Sequence, residues 1–266
     1  MTPPSTRGSP PVITSAVDDF ALGVYRSAAF VARFFSEAFK PPYHFREIVR
    51  QCYDVGYKTL PLITLTGFIL GIVFTKQSRP SLAAFGATSW LPSLMTIALV
   101  RSLAPLITAL LCAGKVGSAI GAELGSMKVS EQIEAMEVSA INPFKFLVVT
   151  RTIATTLMVP VLVCYCCLVG LVGVYMNIHG NEAASVMSFL KSGFSSISFL
   201  DVGASVVKSF VFGFTIGIVA CYKGFGAKLG TQGVGRAATA SVVLSMVLIF
   251  LEEVLIVQVV TVLRDL

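Results

Sequence analysis

Long apolar runs separated by short polar stretches are the main feature of the chain. Five of them reach the length of about 20 residues that a helix needs to cross a bilayer, and they cover residues 59–77, 91–114, 146–177, 200–222 and 237–263. None alternates between apolar and polar positions as a half-buried β-strand does. The pattern therefore predicts an all-α membrane protein in which residues 59–263 form a single domain of five transmembrane helices.

Two amphipathic segments precede the first span. Residues 20–39 carry apolar side chains at near-helical spacing, and residues 45–58 repeat the pattern, with acidic and basic side chains on the other side. Helices of this kind lie in the membrane interface, so residues 20–58 are predicted to be interfacial. Residues 1–19 are rich in Pro, Ser and Thr and are predicted to be a disordered tail.

The low charge content and its uneven distribution also indicate a membrane protein. Charged residues make up 13% of the chain, against about 25% in soluble domains, and the mean hydropathy is +0.82. Eleven Lys and Arg side chains flank the spans on one side and four on the other, and the richer side is normally cytoplasmic. The N-terminus is therefore expected in the cytoplasm and the C-terminus outside. The net charge of +6 follows from this bias, and no nucleic-acid partner is expected.

Cysteine and histidine usage gives no sign of a metal site or of catalysis. Cys164, Cys166 and Cys167 are clustered, but no nearby His and no second C-x-x-C pair complete a zinc site with them. Small residues used for helix packing explain them better. His44 and His179 have no arrangement of acids or serines around them, so no catalytic residue and no bound metal are predicted.

Four charged residues fall inside the predicted spans: Arg101, Lys208, Glu252 and Glu253. A charge near the middle of a bilayer costs roughly 2.5 to 3.5 kcal/mol on insertion scales, so it needs a partner or a use. At 1.5 Å per residue, all four lie roughly 12 to 17 Å from the outer end of their spans. We predict an intramembrane charge cluster. Independent snorkelling, above all of Lys208, is the alternative.

Glycines spaced four residues apart follow the second span, at Gly117, Gly121 and Gly125. Two successive G-x-x-x-G steps allow a second backbone to approach closely. A loosened helix end would explain the same residues.

A polar segment at residues 126–138 lies between two of the most apolar parts of the chain. The pattern predicts a short cytoplasmic helix that has Ser130 as its N-cap and ends before Pro143. Composition alone favours a solvated connector over a helix that docks onto a soluble partner.

The sequence around this segment resembles that of a known family. The run GSAIGAELGSMKVSEQIEAMEV (117–138), followed by Asn142-Pro143, is similar to the signature of MlaE-type (YrbE-like) permeases. Further matching stretches are GFILGIVFTKQ (67–77), LVRSLAP (99–105), VVKSFVFG (206–213) and GVGRAATASVV (233–243). The resemblance covers roughly residues 45–263, and its central motif is highly specific.

The resemblance implies a subunit of a larger lipid transporter. MlaE-type permeases are homodimeric membrane subunits of ABC transporters, which carry two cytoplasmic ATPase subunits and an outer hexameric ring of MCE proteins. They move phospholipids or related lipids between the inner and outer membranes. By this likeness the chain is a non-catalytic, multi-pass protein of the bacterial inner membrane with a periplasmic C-terminus. It carries no cofactor itself, since ATP and Mg²⁺ belong to the ATPase.

The resemblance also implies roles for individual residues. The helix after the second span couples to the ATPase, through Glu131, Gln132, Ile133, Ala135, Met136 and Val138. Lipid lies against the end of the first span and the segment after it, at Phe74, Leu82 and Phe85. Many relatives read Arg-Glu where this chain has Arg101-Ser102, so Glu252 or Glu253 would have to pair with Arg101.

Two other functions remain compatible with the sequence alone. No G-x-x-x-x-G-K-[ST] phosphate loop is present, so energy from ATP would have to come from a partner. A permease for a small polar solute would need the same partner. A stand-alone secondary transporter would need none.

Overall fold

The computed structural model describes residues 12–41, 43–182, 185–228 and 230–264. The chain divides into two units, Met1–Pro42 and Tyr43–Leu266. The first contains one helix, α1 (Val12–Ala38). Residues 1–11 of the predicted disordered tail (1–19) lie outside the described residues. The rest of that tail belongs to α1, which begins at Val12.

The second unit consists of helices joined by short turns. They are α2 (Phe45–Gly56), α3 (Leu60–Ala84), α4 (Leu91–Ala98), α5 (Ala104–Cys112), α6 (Ser118–Val129), α7 (Gln132–Val138), α8 (Thr150–Glu182), α9 (Val186–Ser195), α10 (Phe199–Phe225) and α11 (Thr231–Arg264). Turns of 3-10 helix occur at Tyr57–Thr59 and Thr88–Trp90, and wider π-helical segments at Leu99–Leu103, Ala113–Gly117 and Phe144–Val149.

Five helical stretches are long and apolar enough to cross a membrane: Phe45–Ala84, Thr88–Val129, Phe144–Gly180, Phe199–Phe225 and Thr231–Arg264. No strand occurs in the ranges that the structure describes. The predicted all-α fold with five spans is therefore confirmed. The amphipathic helix α2 runs directly into the first span, and the second span continues well past the predicted end at residue 114.

The fourth span forms the centre of the bundle. Helix α10 packs against α8, α11 and α6, and α8 in turn packs against α3. Each span contributes an almost fully buried side chain to one core cluster, in order Ile63, Leu99, Leu162, Phe212 and Ile249. The most apolar window of α10 is 67% buried, whereas that of α11 is only 17% buried. Helix α11 therefore keeps a large apolar surface for lipid chains or another protein.

Helices α3 and α8 cross with their backbones in contact. A Cβ atom added to Gly71 would overlap the carbonyl oxygen of Gly170 and lie 2.9 Å from the Val174 nitrogen. From the other helix, a Cβ on Gly173 would lie 2.5 Å from the Phe68 carbonyl oxygen. Small residues permit this kind of close approach between membrane helices.

We expect Gly71→Ala to lower the free energy of unfolding by about 1–3 kcal/mol, the usual cost of overpacking. The added methyl group meets backbone atoms, which cannot move aside as a flexible side chain can. Gly203→Ala in α10 is the matched control, since a Cβ atom added there would have nothing within 4 Å of it. Unfolding of the purified variants in detergent measures both effects, and equal stability of the two would contradict a backbone-limited crossing.

Candidate functional site

A buried ion pair joins the fourth and fifth spans inside the bundle. Lys208 on α10 is 1% exposed, and its Nζ atom lies 2.7 Å from Oε1 of Glu253 on α11. The hydroxyl of Ser102 donates to the same carboxylate oxygen at 3.1 Å. Lys208 is enclosed by protein, so its side chain does not snorkel to the surface.

The same ammonium group also compensates for a proline in the second span. Pro105 has no N–H, so it cannot donate the helical hydrogen bond to the carbonyl of Arg101 four residues earlier. Lys208 Nζ donates to that carbonyl oxygen at 3.3 Å. An unsatisfied backbone carbonyl is costly inside a membrane. Lys208 therefore donates hydrogen bonds both to the backbone of the second span and to the Glu253 carboxylate of the fifth.

Arg101 belongs to a different group, and its expected pairing with Glu252 or Glu253 is wrong. Its Nε atom lies 4.0 Å from Oδ1 of Asp201, and the guanidinium of Arg264 also donates to that carboxylate. Glu252 instead accepts a hydrogen bond of 2.5 Å from the Thr215 hydroxyl. The four predicted residues thus divide between separate polar groups, in which only Lys208 and Glu253 pair with each other.

Sequence reasoning missed Asp201, although a local signal marks it. The start of α10 has a capping box. The Ser198 side chain accepts a hydrogen bond from the backbone N–H of Asp201, and the Asp201 side chain accepts one from the backbone N–H of Ser198. The backbone nitrogen of Ser198 donates to Asp201 at 3.2 Å. A Ser followed three residues later by an acid is the sequence pattern of this motif, which places the carboxylate at the end of the span.

The three spaced glycines lie buried against α11. The Ser241 hydroxyl donates to the carbonyl of Gly117 at 3.0 Å, and a Cβ on Gly121 would lie 3.2 Å from the Cβ of Ser241. A Cβ on Gly125 would lie 3.4 Å from that of Ala227. The glycines therefore lie where α11 and the loop before it approach the second span closely.

The polar segment at 126–138 is two helices with a sharp break between them. Ser130 does not cap α7, because its hydroxyl bonds back to the carbonyl of Ser126 at 2.8 Å and so closes α6. The N-cap of α7 is Glu131, which has φ 58°, an uncommon value for a residue other than glycine. The predicted short helix is therefore present as α7, but the prediction of Ser130 as its N-cap is wrong, since that hydroxyl satisfies the preceding helix.

Helix α7 is held by one apolar side chain and exposes most of the others. Ile133 is 4% exposed, whereas Val138 is 90% exposed. Glu131, Gln132 and Ala135 are also exposed, and Met136 is half-buried. The chain turns away after α7 at Ala140, which has φ 60°. The helix therefore presents a mixed polar and apolar surface at this end of the bundle.

An ion pair between Lys128 and Glu134 spans the break between α6 and α7. The hydrogen bond from the Lys128 ammonium group lowers the pKa of the Glu134 carboxyl from its ordinary value. A lowered pKa in the folded state means that the pair stabilises the fold above the ordinary glutamate pKa. This contribution is lost as the pH falls through the lowered value.

We expect Lys128→Met to raise the pKa of Glu134 towards its ordinary value, because the variant removes the donor. Carbon-13 NMR titration of labelled glutamate carboxyl groups measures this change. Lys58→Met is the control, since Lys58 pairs with Asp54 at 2.5 Å on a different helix. An unchanged Glu134 pKa in Lys128→Met would show that the ion pair does not form in solution.

Comparison with known proteins identifies the family. The family described as Permease MlaE matches residues 48–259. The chain belongs to the MlaE permease family. A probable ABC transporter permease protein of Rickettsia typhi is 35% identical to this MlaE permease over 242 residues, covering 90% of this chain and 91% of the relative.

Two relatives from photosynthetic organisms also match this MlaE permease. A probable ABC transporter permease protein of Synechocystis is 36% identical over 208 residues, or 78% of this chain and 79% of the relative. The chloroplastic protein TRIGALACTOSYLDIACYLGLYCEROL 1 of Arabidopsis thaliana is 32% identical over 210 residues, or 79% of this chain and 60% of the relative. The chain is thus an ABC transporter permease, a multi-pass membrane subunit.

The lipid-contacting residues implied by the MlaE resemblance have different surroundings. Phe74 is half-buried and touches both apolar core clusters. Leu82 packs against the smaller of these clusters, which includes Leu91 and Phe189. Phe85, just after α3, is 86% exposed. The exposed ring is accessible to a ligand, whereas the other two side chains pack against the apolar core.

Proposed function

We propose that this MlaE permease is the membrane subunit of an ABC transporter that moves phospholipids or related lipids. The observation that carries the lipid assignment is the family match, joined to a relative that is named after a galactolipid, trigalactosyldiacylglycerol. Exposed apolar side chains such as Phe85 at the end of a span are suited to acyl chains. The subunit itself is non-catalytic.

Helix α7 is the proposed contact with a separate cytoplasmic ATPase, which supplies ATP and Mg²⁺. Its surface is built like a docking element, with Ile133 buried in the bundle and Val138 almost fully exposed. The Lys128–Glu134 ion pair ties it to the second span. Glu131, Gln132, Ala135 and Met136 complete the proposed contact surface.

The proposed assembly contains two copies of the chain and an MCE ring on the outer side. The large apolar surface of α11 suits a contact with a second copy. The bias of Lys and Arg favours an N-terminus in the cytoplasm and a C-terminus in the periplasm of an inner membrane. Lipid then passes through the ring between the inner and outer membranes.

The mechanism we propose begins with a lipid in an outward-facing cavity between the two copies, where Phe74, Leu82 and Phe85 lie. ATP binding closes the two ATPase subunits and moves α7. Because α7 is tied to α6, the movement reaches the second span and collapses the cavity. The lipid is then expelled towards the ring.

Co-purification and reconstitution test the proposed function. The chain, expressed with its partner ATPase, is expected to hold phospholipid that mass spectrometry detects, and to move fluorescent phospholipid in proteoliposomes when ATP is present. Transport of a small polar solute without bound lipid would contradict the lipid assignment. Transport without any ATPase would identify a stand-alone transporter instead.

A further inference from the structure

A basic cavity lies between the end of α10 and the start of α11. It has a volume of about 420 Å³, and three cationic side chains line it: Lys223, Lys228 and Arg236. The side-chain amide of Gln232 belongs to the same wall. A Cβ on nearby Gly125 would lie 3.4 Å from the Cβ of Ala227, so the cavity lies at the same end of the bundle as α7.

The positive charge of this cavity is not balanced by protein. No acidic residue lines it, and within the described ranges no carboxylate lies within 4.0 Å of the three cationic groups. By contrast, Arg151 is paired with Glu123 at 2.7 Å, and Lys128 is paired with Glu134. Like charges held together disfavour one another, so an anion is the ligand that suits this cavity.

The local backbone brings the three cations together. A Cβ on Gly233 would overlap the carbonyl oxygen of Lys228, so only glycine lets the loop lie against the first turn of α11. Arg236 follows one turn later on the same helix. The start of α11 also carries the positive end of a helix dipole, which adds to the field of the side chains.

The position of the cavity favours a lipid headgroup over a soluble anion. It lies between the end of the fourth candidate span and the start of the fifth, and span ends lie close to the headgroup region of a bilayer. Ala237 and Ala240 give its inner wall an apolar character, and Lys223 lies over the ring of Tyr222 at 5.6 Å, an aromatic residue typical of the interface. Basic pockets between membrane helices on the cytoplasmic side bind anionic headgroups.

We propose that this cavity binds the phosphate of an anionic phospholipid from the leaflet at that end of the bundle. Lys223, Lys228 and Arg236 contact the phosphate, and the acyl chains extend along α10 and α11. The site is separate from Phe74, Leu82 and Phe85, and it does not depend on lipid being the transported cargo.

Titration of the purified full-length chain in detergent with phosphatidylglycerol tests the site, with native mass spectrometry as the readout. Lys228→Gln/Arg236→Gln is expected to weaken binding about fivefold for each charge removed. Arg50→Gln/Lys58→Gln is the matched control, because it removes the same charge from cations that already pair with Glu47 and Asp54. Arg236→Lys keeps the charge and is expected to retain most of the binding.

Each alternative gives a distinct result. Equal loss in the test and control variants would mean that net charge alone attracts the lipid and would overturn the site. Equal binding of phosphatidylcholine would exclude recognition by charge, and full competition by inorganic phosphate would assign the cavity to a soluble anion. Loss of the ATPase from the complex with unchanged lipid binding would assign these cations to the protein partner.

Discussion

Replacing Lys208 with Ala is expected to lower the free energy of unfolding by about 3–5 kcal/mol, the range seen when one partner of a buried ion pair is removed. The variant leaves the Glu253 carboxylate buried with only the Ser102 hydroxyl as a donor. It also removes the donor to the Arg101 carbonyl. Unfolding of the purified protein in detergent, followed by loss of helical signal, measures the change.

Two double variants distinguish this pair from other arrangements of the same charges. Lys208→Met/Glu253→Leu is expected to recover most of the stability, since apolar replacement of a whole buried pair is often neutral or favourable. Exchange of charges between Arg101 and Glu252 is expected to give no recovery, because those residues contact Asp201 and Thr215 respectively. Recovery by that exchange would contradict this division of the charges into separate groups.

Replacing Val138 with Asp is expected to weaken binding of the ATPase at least about tenfold. Burial of a valine side chain in an interface contributes about 1.5–3 kcal/mol, and a buried unpaired carboxylate adds a further cost. Val138 is 90% exposed in the isolated chain, so the substitution leaves the fold unstrained. Retention of the ATPase during purification, and lipid transport stimulated by ATP, both report the loss.

Val138→Ile is the control for this variant, because it keeps an apolar side chain at the same place on α7. It is expected to retain the ATPase and to transport normally. If Val138→Asp bound the ATPase as well as Val138→Ile does, α7 would not be the docking surface, whatever the cargo of the transporter.

The number and class of the spans followed directly from the sequence, whereas the partners of the charged residues did not. Apolar runs report which residues avoid water, and that property alone identifies five spanning helices. Pairing depends on the direction in which each side chain leaves its helix. The π-helical segment at Leu99–Leu103 changes that direction for Arg101, and no regular period in the sequence encodes such a change.

The polar segment at 126–138 shows a second limit of sequence reasoning. Ser130 is a favourable N-cap by residue type, yet its hydroxyl closes the preceding helix. The break depends on Glu131 in a left-handed conformation. Glutamate seldom adopts this conformation, so residue preferences do not predict a break at this position. Residue type alone does not divide the segment, whereas the folded structure separates it into the end of α6 and the short helix α7.

The second span is helical without a break from Thr88 to Val129, so it is suited to transmit movement along the whole length of the bundle. At 1.5 Å per residue its 42 residues extend about 60 Å, from the end of the bundle opposite α7 to the turn that precedes α7. The π-helical segments at Leu99–Leu103 and Ala113–Gly117 divide this stretch into three α-helices, α4, α5 and α6. Under the proposed coupling, a movement of α7 reaches Arg101 through α6 and α5, and Arg101 itself lies in the π-helical segment that joins α4 to α5.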